Sequence, residues 1–484
     1  MRKTIVLLLA LSGCNAVGPD FSPPETGLPD RAFVAGARTS APDPAWWAGF
    51  RDPTLTALVR EVADKNLDVQ TASLRVAESR FQRGVAASAQ MPSLNGGAKS
   101  VREQYSQNGI LSLMNGLVPG GINVPPITDN YVGFDAAWEL DIWGRVRRSV
   151  EAADAQVRMS EDQRRDALLS VMAETARDYI QLRGVQVQIG VLNDNIRIAQ
   201  EILKLADERQ AKGLASALDT ENARSQLEGY RAQLPPLEQQ DSELVNALSF
   251  LVDHPPGALK ARLGQTRKSP LALGAVPTGV ASDLARRRPD IRAAEAQLHA
   301  ATAQTGVAVA NFYPTITLTG QAGLDSLNPD TLFRGSSFQW SFGPSVSLPI
   351  FNGGRLTNTL ELREAQQQEA ALAYRKTILR AWHDVVNALV ALRLEKARHA
   401  RLSEQVVHAR KAAGIARDRY RDGVTDFLNV LSAERTALIA EQEQARSATM
   451  LGVDQVQLYK ALGGGWEGFF PDASGDKSAA LNPN

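Results

Sequence analysis

The stretch FYPTITLTGQAGL, residues 312–324, changes its period at a proline. Residues 282–311 before it have the composition of a helix, and Pro314 cannot continue one. After it the chain alternates. Ile316, Leu318, Ala322 and Leu324 fall on one face of an extended strand, and Thr315, Thr317, Thr319 and Gln321 on the other. FQWSFGPSVSL, from residue 338, repeats the alternation, with Phe338, Trp340, Phe342, Val346 and Leu348 opposing Gln339, Ser341, Ser345 and Ser347.

The first half of the chain carries the same arrangement. DVQTASLRVAESRFQRGVAASAQMP from Asp68 aligns with DIRAAEAQLHAATAQTGVAVANFYP from Asp290, so that Gly84 meets Gly306 and Pro92 meets Pro314. The expected helix here spans 55–90. Beyond it, Val132, Phe134, Trp138 and Leu140 oppose Asp135, Glu139 and Asp141, while the strand directly after Pro92 is weakly patterned. The chain is a duplication, not a solenoid of short repeats.

Four strands of about ten residues, apolar on one face and small or polar on the other, have the signature of an outer-membrane barrel with a wet interior. The same pattern also fits two hairpins on a soluble sandwich. The N-terminus separates the two readings: Arg2 and Lys3 precede the apolar run from Ile5 to Leu11, as in a secretory signal. Four strands cannot close a barrel, since the smallest need about eight, so several copies must complete one wall. Beyond the leader no apolar run is long enough for a transmembrane helix.

Proline is absent from residues 127–234 and 350–470, which are rich in Ala, Leu, Glu, Gln and Arg. Leu192, Ile196, Ala199, Leu203 and Ala206 step by four and three, and Leu402, Val406, Ala409, Ala413 and Ala416 step identically, the rhythm of a coiled coil. A helix from Gly144 to Gly213 has roughly 70 residues and a length of about 100 Å. Each long helix should stop at a left-handed glycine, Gly213 in KGLASALDTENAR and Gly423 in DGVTDFLNVLSAER. Ser216 and Thr425 then stand as N-caps of returning helices, with Asp219 completing a capping box. The first returning helix is expected over 216–252, and the Pro- and Gly-rich residues 253–279 read as irregular.

Acidic and basic residues balance at 53 each, and nothing in the composition points to nucleic acid as a partner. Five scattered histidines, no P-loop and no metal-ligand spacing leave little for an enzyme or a cofactor. LSGC, residues 11–14, resembles a bacterial lipobox with Cys14 as the lipid-modified residue, and Cys14 is the only cysteine. The plainer alternative is an ordinary signal peptide with an idle thiol. Asn15, where aspartate usually signals inner-membrane retention, implies the outer membrane.

LSGC, VGPDFSPP, WWAGFRDPTL, WELDIWGR, RRRPDIRAAEAQL, FYPTITLTG, GPSVSLPIF and LYKALGGGW together resemble the TolC/OprM-type outer-membrane channels of tripartite efflux pumps, in the NodT-like lipoprotein subgroup. The resemblance covers most of the chain in the expected order. It implies a mainly α protein with transmembrane β, whose homotrimer makes a twelve-stranded β-barrel continued by a periplasmic α-helical barrel. The expected divisions are a signal peptide 1–13, a lipid-anchored extended segment 14–54, a first repeat 55–253, a linker 254–281, a second repeat 282–465 and a disordered tail 466–484. It implies a passive duct, not an enzyme, with a periplasmic adaptor, an inner-membrane transporter of RND or ABC type, and outer-membrane lipid as partners.

By the same resemblance the two helical turns form the closed tunnel end. Gly213, Leu214, Gly423 and Val424 are the expected adaptor-docking residues, and Tyr420, Leu428 and Asn429 the expected constriction. Ser432 stands where relatives carry an aspartate, so Asp426 is the residue expected to concentrate negative potential at the mouth. A duct for secreted polypeptides, and a lipid-anchored coiled-coil spacer without a pore, are the alternatives. The alternating strands count against the spacer. Residues 102–128 are expected to form a long extracellular loop.

Overall fold

The computed structural model describes residues 16–29, 43–106, 125–264, 276–279 and 281–472. Cys14 and the middle of the 102–128 loop lie outside the described residues. The first half contains α1 (Pro53–Lys65), α2 (Leu67–Ser88), β1 (Ser93–Glu103), β2 (Ile127–Leu140), α3 (Arg145–Ala211), α4 (Ala217–Arg231) and α5 (Leu234–Leu251). Between the halves, within the expected irregular stretch, lies the short α6 (Lys260–Leu263). The second half contains α7 (Leu284–Arg287), α8 (Pro289–Ala310), β3 (Thr315–Ser326), β4 (Phe338–Ser347), α9 (Arg355–Arg421) and α10 (Phe427–Leu462). The duplication is exact in length where it matters. Helices α2 and α8 both have 22 residues at an offset of 222 (289 − 67), and α3 and α9 both have 67 at an offset of 210 (355 − 145).

Three expected helices are broken. The helix over 55–90 stops at Asn66, which is extended (ψ 129°). Its side-chain oxygen accepts from the backbone N–H of Asp68 at 2.9 Å and its amide donates to the Leu251 carbonyl at 3.0 Å, so the residue caps a new helix and ties it to α5. The returning helix over 216–252 is interrupted at Ala232–Gln233, because Pro235 and Pro236 open α5 and lack the N–H groups that a continuous helix needs. Helix α10 has no proline and runs unbroken through 36 residues. In the second half Arg288 is extended before Pro289, as a pre-proline residue must be, and this separates α7 from α8 within the expected 282–311.

The chain forms two compact units. The first, residues 1–23, 77–158 and 295–372, holds one antiparallel sheet in the order β1-β2-β3-β4. Its register unites the two faces read from the sequence. Val132 pairs with Leu324 and Leu324 with Phe338, and Phe134 pairs with Ala322 and Ala322 with Trp340, so the apolar residues make one continuous face. That face is open: Trp340 is 71% exposed, and Phe134, Phe338 and Phe342 are exposed with it. The other face carries Asn95, Asp135, Gln321 and Ser341 in one row, with the Asn95 amide donating to Asp135 at 3.0 Å. Gly133 and Gly323 are paired beneath the Tyr131 ring, and a Cβ at Gly133 would lie 2.3 Å from its hydroxyl.

The N-terminal residues of this unit are held as an extended strap. Val17 N–H donates to the Trp143 carbonyl at 3.0 Å, the buried Arg148 donates to Asp20 at 2.5 Å, and Phe21 stacks on His299 at 4.2 Å. His299 in turn meets Glu151 at 2.9 Å.

The second unit, residues 24–76, 159–294 and 373–484, is helical. Trp46, Trp47 and Phe50 lead into α1 and pack with Leu55, Leu58, Met172, Tyr179 and Tyr459. Truncating one of these tryptophans to alanine would cost about 3–5 kcal/mol. The coiled-coil residues Leu192, Ala199 and Ala206, and Val406, Ala409 and Ala413, are buried as their spacing predicts. The segment from 466, expected to be a disordered tail, is ordered as far as Asp472. Trp466 is 4% exposed, with the guanidinium groups of Arg165 and Arg292 at 4.8 and 5.2 Å from its ring, and Asp472 receives Arg292 at 2.6 Å. Arg292 belongs to the RRRPDIR motif, so that motif is where the end of the described chain docks. No helix among the described residues is long and apolar enough to cross a membrane.

Candidate functional site: the paired helical turns

Each long helix ends in the same hydrogen-bonded motif. Gly213 N–H donates to the Gln210 carbonyl at 2.9 Å and Leu214 N–H to the Arg209 carbonyl at 2.8 Å. Gly423 N–H donates to Tyr420 at 3.0 Å and Val424 N–H to Arg419 at 2.8 Å. This double closure requires a left-handed residue, and the glycines supply φ of 70° and 78°. The apolar residues just beyond them are exposed, Leu214 and Val424 both at 64%, because the motif turns them away from the helices that it ends.

The returning helices begin differently. Ser216 caps α4 in a complete capping box with Asp219. In the second turn the N-cap is Asp426 rather than the expected Thr425, and its side chain makes no capping hydrogen bond. Asp426 is therefore an exposed carboxylate not engaged by the helix that it precedes. Thr425 instead accepts from the Asn429 amide at 3.0 Å.

Of the four residues expected at the gate, Asp426 at the mouth and Leu428 and Asn429 of the constriction are exposed, and Tyr420 is not. Tyr420 is 4% exposed; its ring packs edge-on against Phe427 at 5.3 Å and beneath the Arg209 guanidinium at 4.8 Å. Burial, with the charge of Asp219 added and Arg209 opposing, pushes its hydroxyl above the ordinary tyrosine value. Within one protomer Tyr420 is a core residue beneath the turn. Arg209 also donates to the carbonyls of Tyr420 and Arg421, so the end of α3 caps the end of α9.

A model of the family described as outer membrane efflux protein matches residues 58–253 and 280–464. The chain belongs to this family. Nodulation protein T of Rhizobium leguminosarum bv. viciae is 32% identical over 468 residues, covering 95% of this chain and 92% of that protein. The solvent efflux pump outer membrane protein SrpC of Pseudomonas putida is 32% identical over 476 residues, covering 95% of this chain and 97% of that protein. The solved outer-membrane channel OprN superposes with a TM-score of 0.87 at 32% identity, over 93% of this chain and 99% of that one. An outer-membrane efflux channel is the function on which family membership and the two-faced sheet agree.

For an outer membrane efflux protein, the turns carry two residues that sequence reasoning passed over. Arg209 had a visible signal, a cation in the last turn of a long helix. Its acceptors lie 211 and 212 residues further on, and only the fold brings them within reach. Glu434 had none, being one charged residue among many on α10.

Proposed function

We propose that this efflux channel works as a homotrimeric, passive duct whose gate is the pair of helical turns. The observation that carries the proposal is the open four-stranded sheet: β1 and β4 are edge strands among the described residues, and one broad face is apolar and exposed. Exposed edges invite pairing with another chain, and an apolar face of this size needs lipid. Three copies supply twelve strands, close the edges onto one another and turn the Asp135 and Gln321 face towards a wet lumen.

Such a duct carries no catalytic apparatus and takes its energy from an inner-membrane transporter, of RND or ABC type, through a periplasmic adaptor. Gly213, Leu214, Gly423 and Val424 would form the adaptor-docking surface, with Asp426, Leu428 and Asn429 around the mouth and Tyr420 supporting it from beneath. Cys14 would carry the lipid, since the strap from Ala16 onward is fastened to the foot of β2 through Trp143. The cargo is a small molecule chosen by the pump. Planar-bilayer conductance of the purified protein, with the mass of the complex, tests this. Small gated currents from a trimer are expected; a monomer, or a trimer silent under all conditions, would leave a pore-free spacer as the better reading.

A further inference from the structure

Glu434 is buried where both helical hairpins of one protomer meet. It lies on α10, 5% exposed, among residues of three other helices. Helix α3 presents Asn195, Ile198, Ala199 and Ile202, and α4 presents Ala223, Gln226 and Tyr230. From α9 comes Arg417, whose Nε stands 2.9 Å from Oε1. That approach lacks the alignment of a hydrogen bond, and Oε1 is buried with no donor among the described residues. Among the described residues the other charge acting on it is Glu441, seven residues along α10, which is itself engaged by Arg410 of α9 and by the Asn195 amide at 3.0 Å, while the titratable hydroxyl of Tyr230 faces it from α4 and is bonded by the Gln226 amide. The side chains around Glu434 line a narrow, partly open cleft of about 10 Å³. That is room for one water at most.

An ionised carboxylate needs several donors or a hydration shell, and this site supplies one poorly aligned cation and space for a single water. A carboxylic acid needs far less. Burial, reinforced by Glu441 and partly opposed by Arg417, accordingly pushes the Glu434 carboxyl above its ordinary range.

We propose that Glu434 is a proton-operated wedge between the two periplasmic hairpins. Protonated, it lets α3, α4, α9 and α10 pack together and holds the turns closed. When its proton leaves to solvent, the buried charge drives the hairpins apart and biases the tip towards opening. The sign follows from linkage. Packing raises the carboxyl's pKa, so its stabilising effect is complete below the ordinary value of 4.5 and is lost as pH rises through the raised value. The gating role rests on the tip being the gate; the wedge itself does not.

The test is hydrogen–deuterium exchange of the purified full-length protein at about pH 4, at about pH 9 and at steps between them, corrected for intrinsic exchange, in peptides from 195–231 and 410–438. Bilayer conductance is recorded in parallel. Protection in both peptides should fall several-fold at the higher pH in the unaltered protein and stay high at both in Glu434→Gln, whose amide has the acid's shape without its charge. Arg417→Leu removes the cation that favours ionisation and should move the midpoint to higher pH. Glu434→Gln with unaltered pH dependence, or Arg417→Leu with an unmoved midpoint, would overturn the wedge. If exchange switches as expected while every variant stays silent in bilayers, the wedge stands and the channel reading fails.

Discussion

The Arg209 guanidinium donates to the Tyr420 carbonyl at 2.8 Å and to the Arg421 carbonyl at 3.2 Å, while lying over the Tyr420 ring. One side chain thus caps the neighbouring long helix and covers its last aromatic residue. The first turn has its own capping box, whereas the N-cap acid of the second makes no such bond. The second turn therefore depends on the first for its position.

Arg209→Ala should consequently free the α9–α10 turn. Charge-assisted hydrogen bonds of this kind contribute about 1.5–3 kcal/mol, which for turns that gate the duct as proposed is enough to shift the tip substantially towards open. The expected result is raised conductance of the purified channel with trimer mass unchanged. Arg209→Lys, which keeps the charge but loses the planar fork, should lie between the two.

The glycines at helix ends should separate docking from folding. Gly423 has φ of 78° with its nearest prospective neighbour, the end of the Arg209 side chain, at 3.7 Å, so Gly423→Val meets backbone strain at an otherwise roomy exposed turn. A left-handed non-glycine residue costs about 1–2 kcal/mol. Efflux should suffer more than assembly, as read by drug susceptibility against trimer yield; loss of the trimer would make the glycine's role mainly structural. Gly463 is the contrast. A Cβ there would lie 2.9 Å from the Arg288 Cα, so Gly463→Ala should lower the yield of folded protein itself.

Asp426→Asn removes an exposed charge without removing a capping bond, since none is made. Folding should be unaffected. Single-channel cation selectivity should fall, together with its dependence on salt, because three such carboxylates around one mouth would focus negative potential. Unchanged selectivity would remove Asp426 from the mouth.

The two faces of the sheet should respond oppositely to lysine. Trp340→Lys places a charge on the apolar face, where the cost at mid-membrane is about 2–4 kcal/mol. Ser341→Lys, one residue along, points to the polar face and should be tolerated. The fraction of folded channel after refolding into lipid vesicles distinguishes them; equal losses would mean that the apolar face does not meet lipid.

Much of the fold was legible because its determinants are periodic. Alternation in residues 315–324 and 338–348 needs no knowledge of a partner strand to be read, and the observed register joins the same residues into one apolar face. The steps from Leu192 to Ala206 likewise report burial directly. Where a single residue competes with a period, the period gives no warning. Asn66 interrupts an otherwise helical run because its side chain has a distant carbonyl to bind, and Trp466 belongs to a short segment with no repeat of its own.

The sequence by itself determined the duplication, the four strands, the two long helices and the glycines that end them, since each of these follows from local period or local backbone conformation. Tertiary structure alone decided that Tyr420 lies in the core, that Arg209 caps a helix from the other half, that Asp472 reaches Arg292, and that Glu434 lies buried where four helices meet. Those relationships join residues far apart in the chain. Their energies come from desolvation and from donor geometry, quantities that exist only once the helices have packed.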